Sequence, residues 1–366
     1  MTTGKGKKMK YRETPLFSER YRAEYYEGIQ RVIEERYERA REERTAAWRD
    51  FPGRMEEHRR RAAMTLGWPL TEYQAGAPEA RYELLSREEG YSVYRLTVYP
   101  LPGLPFSGLL FLREGDAARP LAVALHGNEG TPEMCAEVAG PSYNYNRMTE
   151  RLLDCGVHVY SPQTLMWKKE TWGAAYDRRG VDEALKYLGG SVDGLEIYCV
   201  RKALDALCQR GDVDNGALGA CGLSYGGLYA MLLAAVDTRV RAVLSAGRFV
   251  DSDFEKNRLR RGGDTQDVWF GSALHLTLVE MVMLCWPRTL IVSMARGDRL
   301  VPFELAEKAM EEVRERTEGV DDGSWVRFLP FEGEHEFDRS DAPIEELMSA
   351  LGWERKGAWR GRDFVV

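Results

Sequence analysis

The chain has 366 residues, which suits one large domain or a core with an appendage, and its hydrophobic and charged fractions of 44% and 30% are ordinary for a soluble globular protein. A net charge of −7 argues against a nucleic-acid binder that works by bulk electrostatics, and no stretch approaches the roughly 20 uncharged apolar residues of a membrane span. The basic start of the chain lacks the apolar run of a secretion signal, so we expect a cytoplasmic protein.

We expect residues 1–78 to form a charged helical extension. Between about Ser18 and Arg61 the sequence is dense in Glu and Arg, and apolar residues recur at three- and four-residue steps, as on one face of a helix. These apolar residues are Tyr25, Ile29, Val32, Ile33, Tyr37 and Ala40. Phe51-Pro52-Gly53 interrupts the pattern, and a second helix is predicted from Arg54 to about Leu66. We favour helices that pack on their own domain by one stripe, although the same helices could form a homo-oligomer surface.

Residues 79–366 alternate short apolar runs with longer helical patterns, which predicts an α/β domain with a mostly parallel sheet covered on both faces. The predicted strands are Tyr91–Tyr99, Gly108–Leu112, Pro120–Leu125, Gly156–Tyr160, Ala217–Cys221, Val240–Ser245, Thr289–Ser293 and Trp325–Leu329. The predicted helices are Asn144–Leu153, Leu195–Cys208, Gly227–Ala235, Phe303–Arg316 and Pro343–Leu351.

Two stretches, near 163–191 and 251–284, are too long for simple crossovers between strands. Excursions of this kind usually stand at the carboxyl ends of strands, where ligands bind. We therefore interpret them as lid-like insertions whose aromatic and basic side chains could line a substrate pocket, although surface helices could use the same residues. The candidate substrate-binding residues are Trp167, Arg178, Trp269 and His275.

The most informative motif is Gly222-Leu-Ser-Tyr-Gly226, the only GxSxG in the chain. An apolar strand precedes it and a helix rich in small residues follows. A serine on so sharp a strand-to-helix turn adopts strained backbone angles, which requires neighbours without bulk two positions to either side. The motif therefore predicts that Ser224 is a nucleophile exposed above the sheet, at a helix N-terminus that favours negative charge.

A serine nucleophile needs a base, and the base needs an orienting acid. Asp298 follows a predicted strand that ends at about Ser293, and His335 follows the final predicted strand. The order Ser224, Asp298, His335, each beyond a strand end, is the order this architecture requires for a catalytic triad.

The other histidines are weaker candidates for the base. His58 lies on the charged N-terminal segment, and His158 lies inside a predicted strand, where a hydrogen-bonded core histidine is expected. His126 opens a Gly-rich turn that could direct a backbone amide towards an oxyanion, so we interpret it as a scaffold residue. His275 could line the pocket.

These residues resemble those of the α/β-hydrolases over about Ala80 to Leu351, nearest in style to acetyl xylan esterase-like and dienelactone hydrolase-like serine esterases. The His126-Gly127 turn, the Gly297-Asp298-x-x-Val301-Pro302 loop and the helix before the nucleophile strand carry the likeness. The resemblance implies Ser224 as nucleophile, His335 as base and Asp298 as orienting acid. It also implies an oxyanion hole made by the backbone N–H groups of Tyr225 and Asn128.

The function implied is hydrolysis of carboxylic esters of small molecules, including acetyl esters of sugars, through an acyl-enzyme and without a metal or cofactor. A peptidase or amidase, a carbon–carbon bond hydrolase on the same triad, and a non-catalytic scaffold that recruits a partner through its N-terminal helices are the alternatives. We expect no nucleic-acid or membrane partner.

Overall fold

A single mixed sheet organises the part of the chain that the computed structural model describes, which is residues 10–11, 13–166, 177–261, 267–320 and 322–353. Its strands are β1 (Ala80–Glu88), β2 (Tyr91–Leu101), β3 (Leu104–Arg113), β4 (Arg119–Leu125), β5 (His158–Pro162), β6 (Val213–Leu223), β7 (Val240–Ala246), β8 (Thr289–Ala295) and β9 (Val326–Phe331). The spatial order is β1-β2-β3-β5-β4-β6-β7-β8-β9.

The sheet is antiparallel at one end and parallel elsewhere. The hairpins β1–β2 and β2–β3 and the β3–β5 pair are antiparallel, whereas every pairing from β5 through β4 to β9 is parallel. Parallel neighbours place their carboxyl ends at one edge, which brings the ends of β4, β6, β7, β8 and β9 together. The predicted mostly parallel sheet of an α/β fold is confirmed.

Helices cover both faces of the sheet. They are α1 (Phe17–Ala47), α2 (Met55–Leu66), α3 (Pro132–Cys135), α4 (Met148–Asp154), α5 (Arg178–Tyr187), α6 (Val192–Leu207), α7 (Tyr225–Val236), α8 (Phe254–Arg260), α9 (Ser272–His275), α10 (Leu278–Met283), α11 (Phe303–Thr317) and α12 (Ala342–Ala350). On β4 the buried side chains alternate between two clusters, Leu121, Val123 and Leu125 in one and Ala122 and Ala124 in the other. A strand buried on both faces explains its continuous apolar run.

Sequence patterns missed two kinds of element. β1 is an edge strand whose side chains are mostly exposed, so it lacks the alternation of buried and polar residues that marks a half-buried strand. The helices α5, α8, α9 and α10 lie inside the two excursions and were not predicted. These elements owe their placement to tertiary contacts.

The long helix α1 departs from the predicted packing stripe. Ala40 is buried, but Tyr25 and Val32 are 72% and 64% exposed, so the N-terminal half of the predicted stripe faces outward. The C-terminal half is fixed by the Arg44 guanidinium, whose Nε donates to Glu280 Oε1 of α10 at 3.0 Å with both side chains fully buried. The stripe prediction is therefore wrong for the first half of the helix and correct near its C-terminal end.

The segment after α1 joins the main core. Trp48 and Phe51, together with Ala62 and Leu66 of α2, belong to the same buried cluster as one face of the sheet. The division into residues 1–78 and 79–366 stays a prediction about domains, but the second half of the extension is packed as core. None of the described helices is long and apolar enough to cross a membrane.

Candidate active site

Ser224 sits on the sharp turn between β6 and α7. Its backbone angles, φ 59° and ψ −121°, lie in a region that non-glycine residues rarely adopt. The turn is possible because Gly222 and Gly226 face each other, since a Cβ on Gly222 would lie 2.5 Å from the Gly226 carbonyl oxygen and one on Gly226 would overlap the Leu125 carbonyl. The glycines of the motif are thus required by close backbone approach, as predicted.

The turn presents the serine at the carboxyl edge of the sheet. Ser224 is half-buried rather than enclosed, and its backbone N–H donates to the Ala246 carbonyl at the end of β7 at 2.8 Å. A Cβ placed on Gly127, after β4, would lie 3.2 Å from Ser224 Cβ. Ser224 therefore stands between the loops that follow β4 and β7, at the N-terminus of α7.

His335 and Asp298 are hydrogen-bonded to each other. The distance from His335 Nδ1 to Asp298 Oδ2 is 2.7 Å, and the aspartate side chain is fully buried whereas the histidine side chain is 14% exposed. The other carboxylate oxygen of Asp298 accepts the amides of Leu300 and Val301 at 2.8 and 2.9 Å. Because Asp298 is fixed by its own loop, it holds the imidazole in one orientation and in the tautomer with a proton on Nδ1.

The histidine loop and the acid loop are joined to the serine side of the site. The Gly297 amide donates to the Gly333 carbonyl at 3.0 Å, which links the two loops directly. At Gly247, just beyond β7, φ is +63° and an added Cβ would lie 3.2 Å from His335 Cε1 and 3.1 Å from Leu223 Cδ1. The His335 ring and the side chain of Leu223, the residue before Ser224, therefore both lie against Gly247.

The turn after β4 is held by His126, which the sequence indicated, and by the buried residues Thr164 and Tyr145, which it did not. His126 Nε2 accepts hydrogen bonds from the Thr164 amide at 3.0 Å, so its proton is on Nδ1, which donates to the Gly127 carbonyl at 2.9 Å. Burial lowers the pKa of His126 to about 4, so the ring is neutral near pH 7. The Tyr145 hydroxyl accepts the Gly127 amide at 2.8 Å. His126 is a scaffold residue, in line with its interpretation from the sequence.

The loop after β4 and the start of α7 each carry one backbone amide without a hydrogen-bond acceptor in the described chain. The amides of Gly127, Glu129 and Gly130 all have acceptors. Within the described residues, the amides of Asn128 and Tyr225 have no hydrogen-bond acceptor, and Tyr225 is the first residue of α7. The free N–H of Tyr225, at the helix N-terminus, attracts negative charge, and the oxyanion hole made by the two amides stays a prediction.

Two of the four predicted substrate-binding residues are engaged in a buried cluster behind α7. Asp193 of α6 accepts from Arg178 Nη2 at 2.9 Å, from the Tyr229 hydroxyl at 2.8 Å and from Trp269 Nε1 at 2.9 Å. The polar groups of Arg178 and Trp269 therefore bind the protein itself, because a carboxylate buried without partners would be costly. They tie both excursions to α6, and the prediction that Arg178 and Trp269 line a substrate pocket stays a prediction.

The remaining two predicted residues differ in their outcome. Trp167 lies outside the described residues. His275 ends α9 with an exposed ring, and its carbonyl accepts from Trp48 Nε1 at 3.1 Å. The described hydrogen bond of His275 is thus to Trp48, the residue that follows α1, and not to Ser224.

A second buried carboxylate completes the cluster behind α7. Glu196 Oε2 lies 2.5 Å from the same Tyr229 hydroxyl oxygen, and its other oxygen accepts the Leu165 amide. Burial raises the pKa of Glu196 to about 7, although the hydrogen bond from Tyr229 acts in the opposite direction. The cluster connects the segment that carries Thr164, and with it the turn at His126, to α7.

The amino-acid sequence was compared with family models and with curated proteins. No family model matches the chain. YtaP of Bacillus subtilis (strain 168), provisionally named a hydrolase, is 32% identical over 149 residues, or 39% of this chain and 49% of that protein. The chain thus spans about half the length of this curated relative.

Solved structures are similar over most of the chain. A Bacteroides fragilis protein provisionally named an acetyl xylan esterase has a TM-score of 0.62 at 16% identity, covering 77% of each chain. A glucuronoyl esterase from Solibacter usitatus has a TM-score of 0.58 at 14% identity, covering 82% of this chain and 91% of its own. Acetyl xylan esterase 1 from Thermoanaerobacterium sp. has a TM-score of 0.53 at 14% identity, covering 81% and 93%.

The sheet order and these neighbours define the chain as a protein of the α/β-hydrolase fold. Its neighbours in structure include acetyl xylan esterases and glucuronoyl esterases. At such low sequence identity the likeness establishes the fold, and the chemistry has to be argued from the site.

Proposed function

We propose that the chain is a serine hydrolase of carboxylic esters, with Ser224 as nucleophile, His335 as general base and Asp298 as the orienting acid. The observation that carries the proposal is the serine in a strained turn at the same sheet edge as a hydrogen-bonded His335–Asp298 pair, with the amides of Asn128 and Tyr225 lacking acceptors in the described chain. Esterases among the structural neighbours support the same class.

The reaction would proceed by two acyl transfers. His335 takes the proton of the Ser224 hydroxyl as the oxygen attacks the ester carbonyl, and Asp298 stabilises the imidazolium that forms. The amides of Asn128 and Tyr225 donate to the carbonyl oxygen as it becomes an oxyanion, an interaction worth roughly 3 kcal/mol per donor in comparable sites. His335 then gives the proton to the leaving alcohol. Water, activated by the same imidazole, hydrolyses the acyl-enzyme and frees Ser224.

Ser224→Ala should abolish ester hydrolysis and leave the fold intact, because Ser224 is half-buried and its side chain makes no hydrogen bond among the described residues. The measurement is the rate of hydrolysis of short esters, with circular dichroism as a check on folding. Ser349→Ala is the matched control, since Ser349 is an exposed serine on α12. Full activity of Ser224→Ala would contradict the proposal.

The bond that is cleaved is tested with the same enzyme. Esters, acetylated sugars, aminoacyl anilides and a carbon–carbon substrate are assayed side by side at equal concentration. The proposal expects turnover of esters and Ser224-dependent loss of that turnover. Preferential cleavage of the anilides or of the carbon–carbon substrate would replace it by one of the alternative hydrolases.

A further inference from the structure

A cavity adjoins the nucleophile helix and is walled on one side by α1. Its volume is about 200 Å³, and it lies between Ile33 and Tyr37 of α1, Leu228 of α7, and the 251–284 excursion, which supplies Trp269 and Leu276. The helix that looked like a charged appendage in the sequence is thus one wall of an internal space.

The cavity lies one turn of α7 from the proposed nucleophile, and neither Ser224 nor His335 is among the residues that line it. Leu228 lies four residues after Ser224, one helical turn along the same face of α7, and its amide donates to the Ser224 carbonyl at 3.0 Å. Arg248 also lines the cavity, follows Gly247 at the His335 ring, and places its guanidinium carbon 5.5 Å from the centre of the Tyr225 ring. The helix that begins after Ser224 and the loop that contacts His335 therefore each supply a residue that lines the cavity.

Salt bridges neutralise the charged side chains on the wall. Arg248 and Arg258 both bind Asp267, and Arg258 also binds Glu255. On the α1 side, the Lys256 ammonium lies 2.6 Å from Glu34. Since these charges are paired with one another, the wall offers no net charge to an occupant, and an ionic ligand would have to break existing pairs.

The helix α1, which forms one wall of the cavity, is fixed to the rest of the domain by hydrogen bonds. The Tyr37 hydroxyl donates to the Ser252 carbonyl at 2.8 Å, and Arg44 further along the helix makes its buried pair with Glu280. A pre-formed apolar space binds its ligand without a large ordering cost.

We infer that this cavity binds an uncharged apolar group of the ester substrate, of about six to eight carbon atoms, an inference that rests on the proposed function. A cavity of roughly 150 Å³ lined by apolar side chains holds benzene, so a space of about 200 Å³ takes a six-carbon chain or a substituted ring. The group lies on either the acyl or the alcohol side of the ester, and the two sides are distinguished by experiment.

Three esters test the inference: ethyl acetate as the small reference, ethyl hexanoate with the long acyl group, and its isomer hexyl acetate with the long alcohol. Each added CH₂ that is buried contributes about 0.8 kcal/mol, so we expect kcat/KM for one of the isomers to exceed that of ethyl acetate by roughly tenfold or more. The preferred isomer states which side of the ester enters the cavity. Equal kcat/KM values for all three esters would overturn the inference.

Filling the cavity should remove this preference. Ile33→Trp places a larger side chain in the cavity from α1, and Ala273→Phe places one there from α9. If one variant folds poorly, the other still provides the test. Val32→Trp is the matched control, because Val32 is the neighbouring residue on α1, is 64% exposed and does not line the cavity. We expect the filled variants to lose the preference for the longer ester, and the control Val32→Trp to keep both that preference and ethyl acetate hydrolysis.

The failure of this inference is separable from failure of the proposed function. If wild-type protein hydrolyses ethyl acetate through Ser224 but the filled variants and Val32→Trp give identical ester preferences, the cavity is not the binding site of the apolar group. If no ester is hydrolysed, or if Ser224→Ala is active, it is the proposed function that fails.

Discussion

The residue that most constrains the site is Ser224, whose positive φ is tolerated only because glycines surround it. Strained backbone of this kind costs on the order of 1–3 kcal/mol and persists only where the surrounding structure fixes it. Here Gly222 and Gly226 allow the close approach, and the Ser224 amide is tied to the Ala246 carbonyl. The turn gives the hydroxyl an exposed position that an unstrained helix start would not.

Asp298→Asn tests the orientation of the imidazole at this same scale. The variant keeps Oδ1 as an acceptor for the Leu300 and Val301 amides, so the loop should fold normally. The amide group no longer stabilises the imidazolium and favours the wrong tautomer, and we expect kcat to fall by about 10⁴, as for this change in comparable triads. Ester hydrolysis is the measurement, with Asp322→Asn on an exposed loop as control. A loss of less than about tenfold would contradict the assigned role of Asp298.

At the scale of elements, α6 carries the carboxyl groups that hold both excursions. The pKa of Glu196 is raised to about 7 in the folded chain, from 4.5, because the group is fully buried. The stabilisation that protonation provides is complete below pH 4.5 and is lost as the pH rises through about 7. The segments that contact α6 should therefore be most firmly held on the acid side of neutrality.

Glu196→Gln should remove this dependence. Gln stays neutral at every pH. The free energy of unfolding of Glu196→Gln minus that of wild type should therefore rise between pH 4.5 and 8, by about 3 kcal/mol at most, as expected for a pKa shift of this size. Urea unfolding at both ends of the range measures it. Glu183→Gln, on the exposed face of α5, is the control and should show a constant difference. A constant difference for Glu196→Gln as well would show that Glu196 does not titrate as described.

The outward face of α1 bears on self-association, which stays a prediction. Tyr21, Tyr25 and Val32 are 58%, 72% and 64% exposed, and exposed apolar faces of this kind often mark interaction sites. If two copies pair through this face, light scattering should give a dimer, and Tyr25→Arg combined with Val32→Arg should give a monomer. Glu42→Arg, elsewhere on the helix, should leave the dimer intact. A monomeric wild-type chain would refute the predicted homo-oligomer.

At the scale of the whole molecule, the sequence was informative where the signal is local. The Gly222–Gly226 turn and the parallel strands could be predicted because close backbone approach and burial on both faces leave marks within a few residues. Asp298 and His335 could be named because each follows a strand end, and the structure places them 2.7 Å apart.

The rest depended on contacts between distant residues. Trp269 donates its indole N–H to Asp193, which is 76 positions away in the chain, so sequence alone could not identify this partner. The function of α1 as a cavity wall also follows from its packing against the 251–284 segment. Neither β1, with its exposed side chains, nor the Tyr145 support of the Gly127 turn leaves a local pattern to detect.

The central claim, that Ser224 is a nucleophile activated by His335, is tested most directly by covalent labelling with a fluorophosphonate followed by peptide mass spectrometry. The account predicts a single adduct on Ser224, no adduct in Ser224→Ala, and strongly reduced labelling in His335→Ala, with Ser349→Ala labelled like wild type. Absence of labelling in the folded wild-type protein, or an adduct on another residue that persists in Ser224→Ala, would contradict it.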